Sequence, residues 1–123
     1  MFQQDFILRQ IQQLAQVLAQ VLVQKRLDEP DEAQEVLAQG LEAATGLTLD
    51  ALREASREQI AALCGPGEAL AGDVVMAVAD LLREDASAAG RRRALWLYEA
   101  ALDVGAAVPF DVHDRMAALR ASL

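Results

Sequence analysis

The stretch that decides the fold is Gln3–Arg26, which reads QQDFILRQIQQLAQVLAQVLVQKR. Its bulky apolar residues recur at alternating steps of four and three positions, so they lie on one face of an α-helix. This stripe consists of Ile7, Ile11, Leu14, Leu18 and Val21, and it is widened by Ala15 and Leu22. A helix of this length is about 36 Å long. The pattern therefore predicts a long amphipathic helix at the N-terminus.

The opposite face of that helix is predicted to be uncharged and rich in glutamine. The glutamines recur every three or four residues, at Gln13, Gln16, Gln20 and Gln24. Three interpretations remain open: a core helix with a solvated glutamine face, a helix that pairs with a second copy of the chain, and a helix that lies on a membrane. The alternating steps are typical of paired helices, whereas the polar face lacks the lysines and arginines of membrane-surface helices. We therefore expect no membrane binding.

Composition and length place the chain in one structural class. With 123 residues, of which 54% are hydrophobic, it has the size and apolar content of one packed domain. β-branched and aromatic residues are sparse, and no segment alternates long enough to form a strand. We predict a single all-α domain over residues 1–123, built as a bundle of six to seven helices.

Capping and turn residues divide the rest of the chain into shorter helices. Ser56 and Gln59 have the spacing of a capping box, in which two side chains satisfy the free backbone donors of a helix start. The turn Gly65-Pro66-Gly67 is the strongest helix breaker and separates the sub-halves 1–64 and 68–123. The predicted helices after the first are Pro30–Ala44, Leu49–Ala55, Arg57–Leu63, Glu68–Ala86, Arg91–Ala106 and a last one that is capped by Asp111 and ends near Ala121.

Charge and cysteine content argue against several classes of function. The net charge of −8 opposes binding to DNA and RNA, which are polyanions, and to anionic lipid. A single cysteine, Cys64, cannot form an intrachain disulfide. The sequence shows no N-terminal signal and no apolar run long enough to span a bilayer. We expect a cytoplasmic protein with neither nucleic acid nor membrane as a partner.

The sixth predicted helix, Arg91–Ala106, is apolar on two sides. At about 100° per residue, Leu95 and Tyr98 fall on one side, whereas Trp96 and Leu97 fall on the other. A helix that is apolar on both sides is packed from two directions. We therefore expect this helix in the middle of the bundle. Trp96 is expected either to fill a groove within the chain or to contact the N-terminal helix or a second chain.

The same helix begins with a basic cluster, Arg91, Arg92 and Arg93. Such a cluster can bind phosphate or an acidic partner, or it can pair with nearby acids such as Glu84 and Asp85. Arginine is unfavourable at a helix N-terminus, because the helix dipole is already positive there. This mismatch favours the pairing with nearby acids.

Residues 72–109 resemble a tetratricopeptide-type helical hairpin. In that motif, small residues let two helices cross closely and an aromatic ring fills the seam between them. The matching positions are Leu81 in the first helix and Ala94, Tyr98 and Ala101 in the second. Asp85 stands where the motif has tyrosine, and the closing proline falls late, at Pro109. The resemblance implies tetratricopeptide-like packing of this hairpin, and it does not imply a peptide-binding repeat array, which needs about three repeats.

The chain as a whole is similar to an uncharacterised bacterial family of small helical proteins. The similarity is carried by residues 1–11, by residues 46–52 leading into residues 56–60, and by residues 94–102. It implies a helical fold and no activity.

Few side chains suit catalysis or metal binding. His113 is the only histidine, so the sequence shows neither a cluster of metal ligands nor a Cys–His pair with Cys64. We predict no cofactor, no metal and no enzymatic activity. The expected function is a helical protein–protein interaction or scaffold module, a homodimer formed through the N-terminal helix. The alternative is a small ligand-binding protein or enzyme with a site between the fifth and sixth helices, near Trp96 and Tyr98.

Overall fold

A computed structural model describes residues 2–64 and 71–123, with side chains from residue 5 onward. These residues form seven helices and no strand. The helices are α1 Phe2–Arg26, α2 Pro30–Thr45, α3 Leu49–Glu54, α4 Arg57–Ala62, α5 Gly72–Leu82, α6 Ala88–Asp103 and α7 Val112–Ala121. The prediction of an all-α bundle with a long N-terminal helix is confirmed for this part of the chain.

The predicted ends agree with the structure within one residue except at the fifth and sixth helices. The sixth was predicted to end at Ala106, but α6 ends at Asp103. The fifth helix was predicted to reach Ala86, but α5 ends at Leu82. The sixth was predicted to begin at Arg91, but α6 begins at Ala88, because the hydroxyl of Ser87 accepts a hydrogen bond from the backbone N–H of Ala89 and caps the helix. The predicted turn at residues 65–67 and the predicted start of the fifth helix at residue 68 lie outside the described residues.

The long helix α1 forms an antiparallel pair with α2 and also packs against α5. The start of α1 meets the end of α2, where the amide of Gln10 donates to the carbonyl of Ala44 at 3.1 Å. Near the middle of the pair, the backbone of Gly40 lies directly against Val17, and a methyl group at Gly40 would come within 2.5 Å of Cγ1 of Val17. Glycine at this position therefore sets how closely the two helices approach.

Helix α6 occupies the centre of the bundle, as its two apolar sides predicted. It packs against α3, α4, α5 and α7. Leu97 and Tyr98, which point to different sides of α6, are both fully buried. The buried residues of all seven helices form one continuous core, so both sub-halves of the chain contribute to it.

The only charged side chain buried among the described residues is that of Asp85, which is 2% exposed. Its Oδ2 accepts from Nε of Arg53 at 2.9 Å, and its Oδ1 accepts from Nη2 of Arg53 at 2.6 Å. The amide of Gln34 and the backbone N–H of Ser87 also donate to Oδ1, at 2.9 and 3.2 Å. Gln34 in turn accepts from the backbone N–H of Ala86 at 2.8 Å. One carboxylate thus joins α2, α3 and the connection between α5 and α6.

Asp85 also explains a glycine inside α6. A methyl group at Gly90 would lie 2.6 Å from the carboxyl carbon of Asp85, so no larger residue fits there without moving the carboxylate. Burial raises the pKa of Asp85, but the donors from Arg53, Ser87 and Gln34 outweigh it, and the pKa lies below its usual value. The network therefore stabilises the charged form in the folded state.

We expect Gly40→Ala to lower the free energy of unfolding by about 1–3 kcal/mol, because the added methyl group overpacks the crossing of α1 and α2. Urea denaturation followed by circular dichroism measures the change. Adding Val17→Ala should recover part of the loss, since it removes the methyl groups that clash. The matched control is Gly72→Ala, whose new methyl group would meet only Ala106 at 3.9 Å and which should be neutral or slightly stabilising. Equal losses at both glycines would contradict the close-contact explanation.

We expect Asp85→Asn to lower the free energy of unfolding at neutral pH by about 3 kcal/mol, since it leaves Arg53 without its buried partner. Because folding lowers the pKa of Asp85, this carboxylate stabilises the fold above its unfolded pKa, and the stabilisation is lost as the pH falls towards the folded pKa. The difference between wild type and Asp85→Asn should therefore shrink in acid. Asp50→Asn is the control, because the Asp50 side chain is 95% exposed and lies 3.7 Å from Arg53; it should cost less than about 1 kcal/mol.

Candidate interaction surface

The apolar stripe predicted on α1 divides into a buried row and an outward row. Leu14 and Val21 are fully buried, and Ile7 is half-buried against the core. Ala15 and Leu22, which widen the stripe in the sequence, are exposed instead, because α2 and α5 cover only the other flank of the helix. The outward row, here called the outer stripe, consists of Leu8, Ala15 and Leu22, which are exposed, and of Ile11 and Leu18, which are half-buried.

The outer stripe borders a shallow groove between α1 and α5. The groove has a volume of about 250 Å³ and is mainly apolar. Its residues are Ile11, Leu14, Ala15 and Leu18 from α1, and Asp73, Met76, Ala77 and Asp80 from α5. Leu8 and Leu22 extend the apolar surface beyond the groove, and they are 53% and 40% exposed. An exposed apolar row along a helix of this length is the feature that most resembles a contact surface.

The charge of α1 differs from that of the rest of the molecule. The chain has 19 acidic residues and a net charge of −8, yet residues 6–27 contain no acid and form its longest acid-free segment. Within α1 the only acid is Asp5, against the basic residues Arg9, Lys25 and Arg26. This helix is therefore the part of the surface at which a second acidic molecule is least repelled.

The glutamine face of α1 lies next to α2. Gln13, Gln16 and Gln20 are exposed and line a shallow groove of about 170 Å³ beside Gly40. Gln24 is half-buried, and its Oε1 is buried without a hydrogen-bond partner among the described residues. In the single chain Gln13, Gln16 and Gln20 are therefore solvated, as predicted for the polar face of a core helix.

Trp96 lies in a groove within the chain, which is one of its predicted positions, and not against α1; contact with a second chain stays a prediction. Its half-buried ring lies beneath two guanidinium groups, with Arg93 4.6 Å and Arg57 5.5 Å from the ring centroid. Arg57 also donates to both carboxylate oxygens of Glu99 at 3.0 Å. The physical reason is that α3 and α4 pack on α6, whereas α1 packs on α2 and α5. Trp96 instead lines a groove of about 210 Å³ between α4, α6 and α7.

Two of the three arginines at the start of α6 bind backbone carbonyls within the chain. Nη1 of Arg91 donates to the carbonyls of Asp85 and Ala86 at 3.0 and 2.7 Å. Arg93 donates to the carbonyl of Ala55, at the end of α3, through Nε at 3.2 Å and Nη2 at 2.9 Å. Arg92 is exposed. The three side chains therefore do not form one basic patch.

The carboxylates expected to pair with these arginines are bound by other residues. Lys25 forms an ion pair with Glu84 at 2.9 Å, and Arg53 binds Asp85. The expectation of an arginine–carboxylate cluster at this helix start is therefore wrong. Arg93 binds the carbonyl end of α3, which carries the partial negative charge of a helix C-terminus, and Arg91 binds carbonyls of the connection between α5 and α6.

The second polar cluster of the core surrounds Tyr98, whose hydroxyl donates to Asp80. Nη1 of Arg115 donates to the same carboxylate oxygen at 2.7 Å. Burial and the neighbouring Asp80 raise the pKa of Tyr98, so its phenol stays neutral. The cluster joins α5, α6 and α7. Because Asp80 already accepts from two donors, we assign the cluster a structural role in holding these helices together.

The remaining candidates for chemistry do not come together. Trp96 and Tyr98 face different sides of α6, and His113 is exposed on α7. Burial raises the pKa of the Cys64 thiol, which makes it a poorer nucleophile at neutral pH. Among residues 2–64 and 71–123, no group of three or more His, Cys, Asp or Glu is placed to hold a metal ion. Nor does this part of the chain contain a helix with the length and apolarity needed to cross a bilayer.

No protein-family model, curated protein or solved structure matches the chain. The resemblance to a tetratricopeptide-type hairpin and the similarity to a bacterial family of small helical proteins therefore stay predictions.

Arg93 and Arg92 provide a test of which arginines stabilise the fold. We expect Arg93→Ala to lower the free energy of unfolding by about 1–2 kcal/mol, since it removes the donors to Ala55 and the cation above Trp96. Arg92→Ala removes an exposed side chain and should change stability by less than about 0.5 kcal/mol. Urea denaturation of both variants measures the difference. A larger loss at Arg92 would contradict these assignments.

Proposed function

We propose that the protein is a non-enzymatic helical interaction module that associates with itself through α1. The observation that carries the proposal is the outer stripe, because contiguous apolar surface that is exposed on a soluble protein marks sites of protein–protein contact. Burying apolar area contributes about 25 cal/mol per Å². Leu8 and Leu22, which are large and accessible, would supply most of this area.

The charge distribution supports self-association through this helix and not through another face. Two copies of a chain with a net charge of −8 repel each other in general. Contact through α1 brings together segments that carry almost no acid, so this repulsion is weakest there. A homodimer through α1 also requires neither nucleic acid nor membrane, in agreement with the acidic character of the chain, and we propose a cytoplasmic protein on the same grounds.

The alternative function, a ligand site or active site between α5 and α6, has no comparable support. The interface of these helices is filled by buried residues, including Val78, Leu81 and Tyr98. The grooves described above lie between other pairs of helices. For the hairpin of α5 and α6, we propose only that the two helices pack against each other as in a tetratricopeptide motif.

Sedimentation equilibrium at tens of micromolar tests self-association directly. We expect the wild type to be a dimer and the double variant Leu8→Asp/Leu22→Asp to be a monomer with the circular dichroism of the wild type. The loss of two apolar contacts per chain and the gain of charge should raise the dissociation constant at least about tenfold.

The matched control for that experiment is Phe6→Asp, because Phe6 is as exposed as Leu8, at 58%, but points away from the outer stripe. It should leave the dimer intact. Leu14→Asp is unsuitable, since Leu14 is buried and its substitution unfolds the chain whether or not it dimerises. A wild type that remains monomeric, or a dimer that Phe6→Asp weakens as much as the double variant does, would overturn the proposal.

A further inference from the structure

We propose that the partner on the outer stripe is the α1 of a second copy, running antiparallel about a two-fold axis that passes near Ala15. The inference rests on the proposed self-association and adds its geometry. It follows from the order of residues along the exposed side of α1 and from the charges at the two ends of this helix.

The outer stripe is close to symmetric about Ala15. Leu8 and Leu22 lie seven residues on either side of Ala15, and Ile11 and Leu18 lie four and three residues from it. When two such helices run antiparallel around Ala15, each Leu8 meets the partner's Leu22, and each Ile11 lies one residue out of level with the partner's Leu18. A two-fold interface uses the same patch on both chains and must be complementary to itself, and this stripe has that property.

The charged residues that flank the outer stripe favour the antiparallel direction. Asp5 and Arg26 are both exposed, and they lie at opposite ends of α1 on the same side of the stripe. Their separation is three whole seven-residue repeats, so they occupy the same flanking row. In an antiparallel pair each Asp5 comes level with Arg26 of the other copy, and two ion pairs can form. In a parallel pair the two copies of this row lie on opposite sides of the interface, so these ion pairs could not form.

The middle of the stripe allows close approach. Ala15 lies at the proposed axis, and the flanking row beside it holds Gln12 and Ala19, which are both exposed. Small side chains such as Ala15 and Ala19 at a helix crossing let the two backbones come near each other, so the leucines at either end can reach the opposite helix. A crossing of this kind also sets the two helix dipoles antiparallel, which is the favourable arrangement for helices side by side.

Disulfide cross-linking tests the direction of the pair. The parent protein carries Cys64→Ala, so that the chain has no native thiol. Single cysteines are then introduced at Ala15, Leu8, Leu22 and, as a control on the glutamine face, Gln13. Two cysteines form a disulfide only when their Cα atoms lie within about 7 Å. Residues 8 and 22 are about 21 Å apart along the helix, so parallel and antiparallel pairs give opposite patterns.

We expect Ala15→Cys to move to the mass of two chains on a non-reducing gel after mild oxidation, and Gln13→Cys to remain a single chain. Leu8→Cys and Leu22→Cys should each remain single when oxidised separately. A mixture of the two, one of them lengthened by a tag, should give a mixed dimer of intermediate mass.

The outcomes separate this inference from the proposed function. Cross-linking of Leu8→Cys with itself and of Leu22→Cys with itself, without a mixed product, would overturn the antiparallel direction but leave self-association through α1 standing. Cross-linking of Gln13→Cys in place of Ala15→Cys would overturn the outer stripe as the contact. A parent that is monomeric in sedimentation equilibrium would overturn both proposals.

Discussion

The arrangement of the bundle depends on the buried carboxylate of Asp85. A buried charge is very unfavourable unless it is paired and hydrogen-bonded, so the chain must bring donors to it from several directions. Arg53 comes from α3, Gln34 from α2 and the backbone N–H of Ser87 from the start of α6. Meeting these requirements together fixes how α2 and α3 lie against the connection that leads into α6, and α6 is the helix on which α3, α4, α5 and α7 pack.

The position of α1 follows from this arrangement and explains why one of its sides is left uncovered. Helix α1 lies at the edge of the bundle, where α2 and α5 cover two adjoining flanks and no other helix of the described residues covers the third. The buried row, Leu14 and Val21, is the part of α1 that packs into the core. Ile11 and Leu18 of the outer stripe still pack against the core. Its exposed residues, Leu8, Ala15 and Leu22, contribute little to the stability of the single chain, so they are explained better by a contact between molecules than by folding.

Local sequence patterns predicted the helices well, because periodicity and caps act over a few residues. The junction of α5 and α6 was predicted poorly. The cap at Ser87 is a local signal that was missed, whereas the buried position of Asp85 depends on Arg53 and Gln34, which lie 32 and 51 positions away. In the sequence, Asp85 stood out only as a departure from a tyrosine motif and as a possible partner of the arginines of α6. The outer stripe could not be separated from the buried row either, because Ile11 and Leu18 fit the predicted stripe as well as Leu14 and Val21 do, and only the positions of α2 and α5 decide which row faces inward.

Several side chains that the sequence suggested as binding residues are occupied by contacts within the chain. Trp96 and the arginines of α6 are the conspicuous candidates for binding, but Arg57 and Arg93 cover the ring, and backbone carbonyls bind Arg91 and Arg93. The part of the surface that is still free to bind another molecule is the part that carries little charge. In a protein that is acidic almost everywhere, long-range repulsion keeps copies apart, and a contact can form only where that repulsion is weak and apolar area is exposed. On the described surface, α1 meets both conditions together, and this coincidence makes its outer stripe the site at which association is physically favoured.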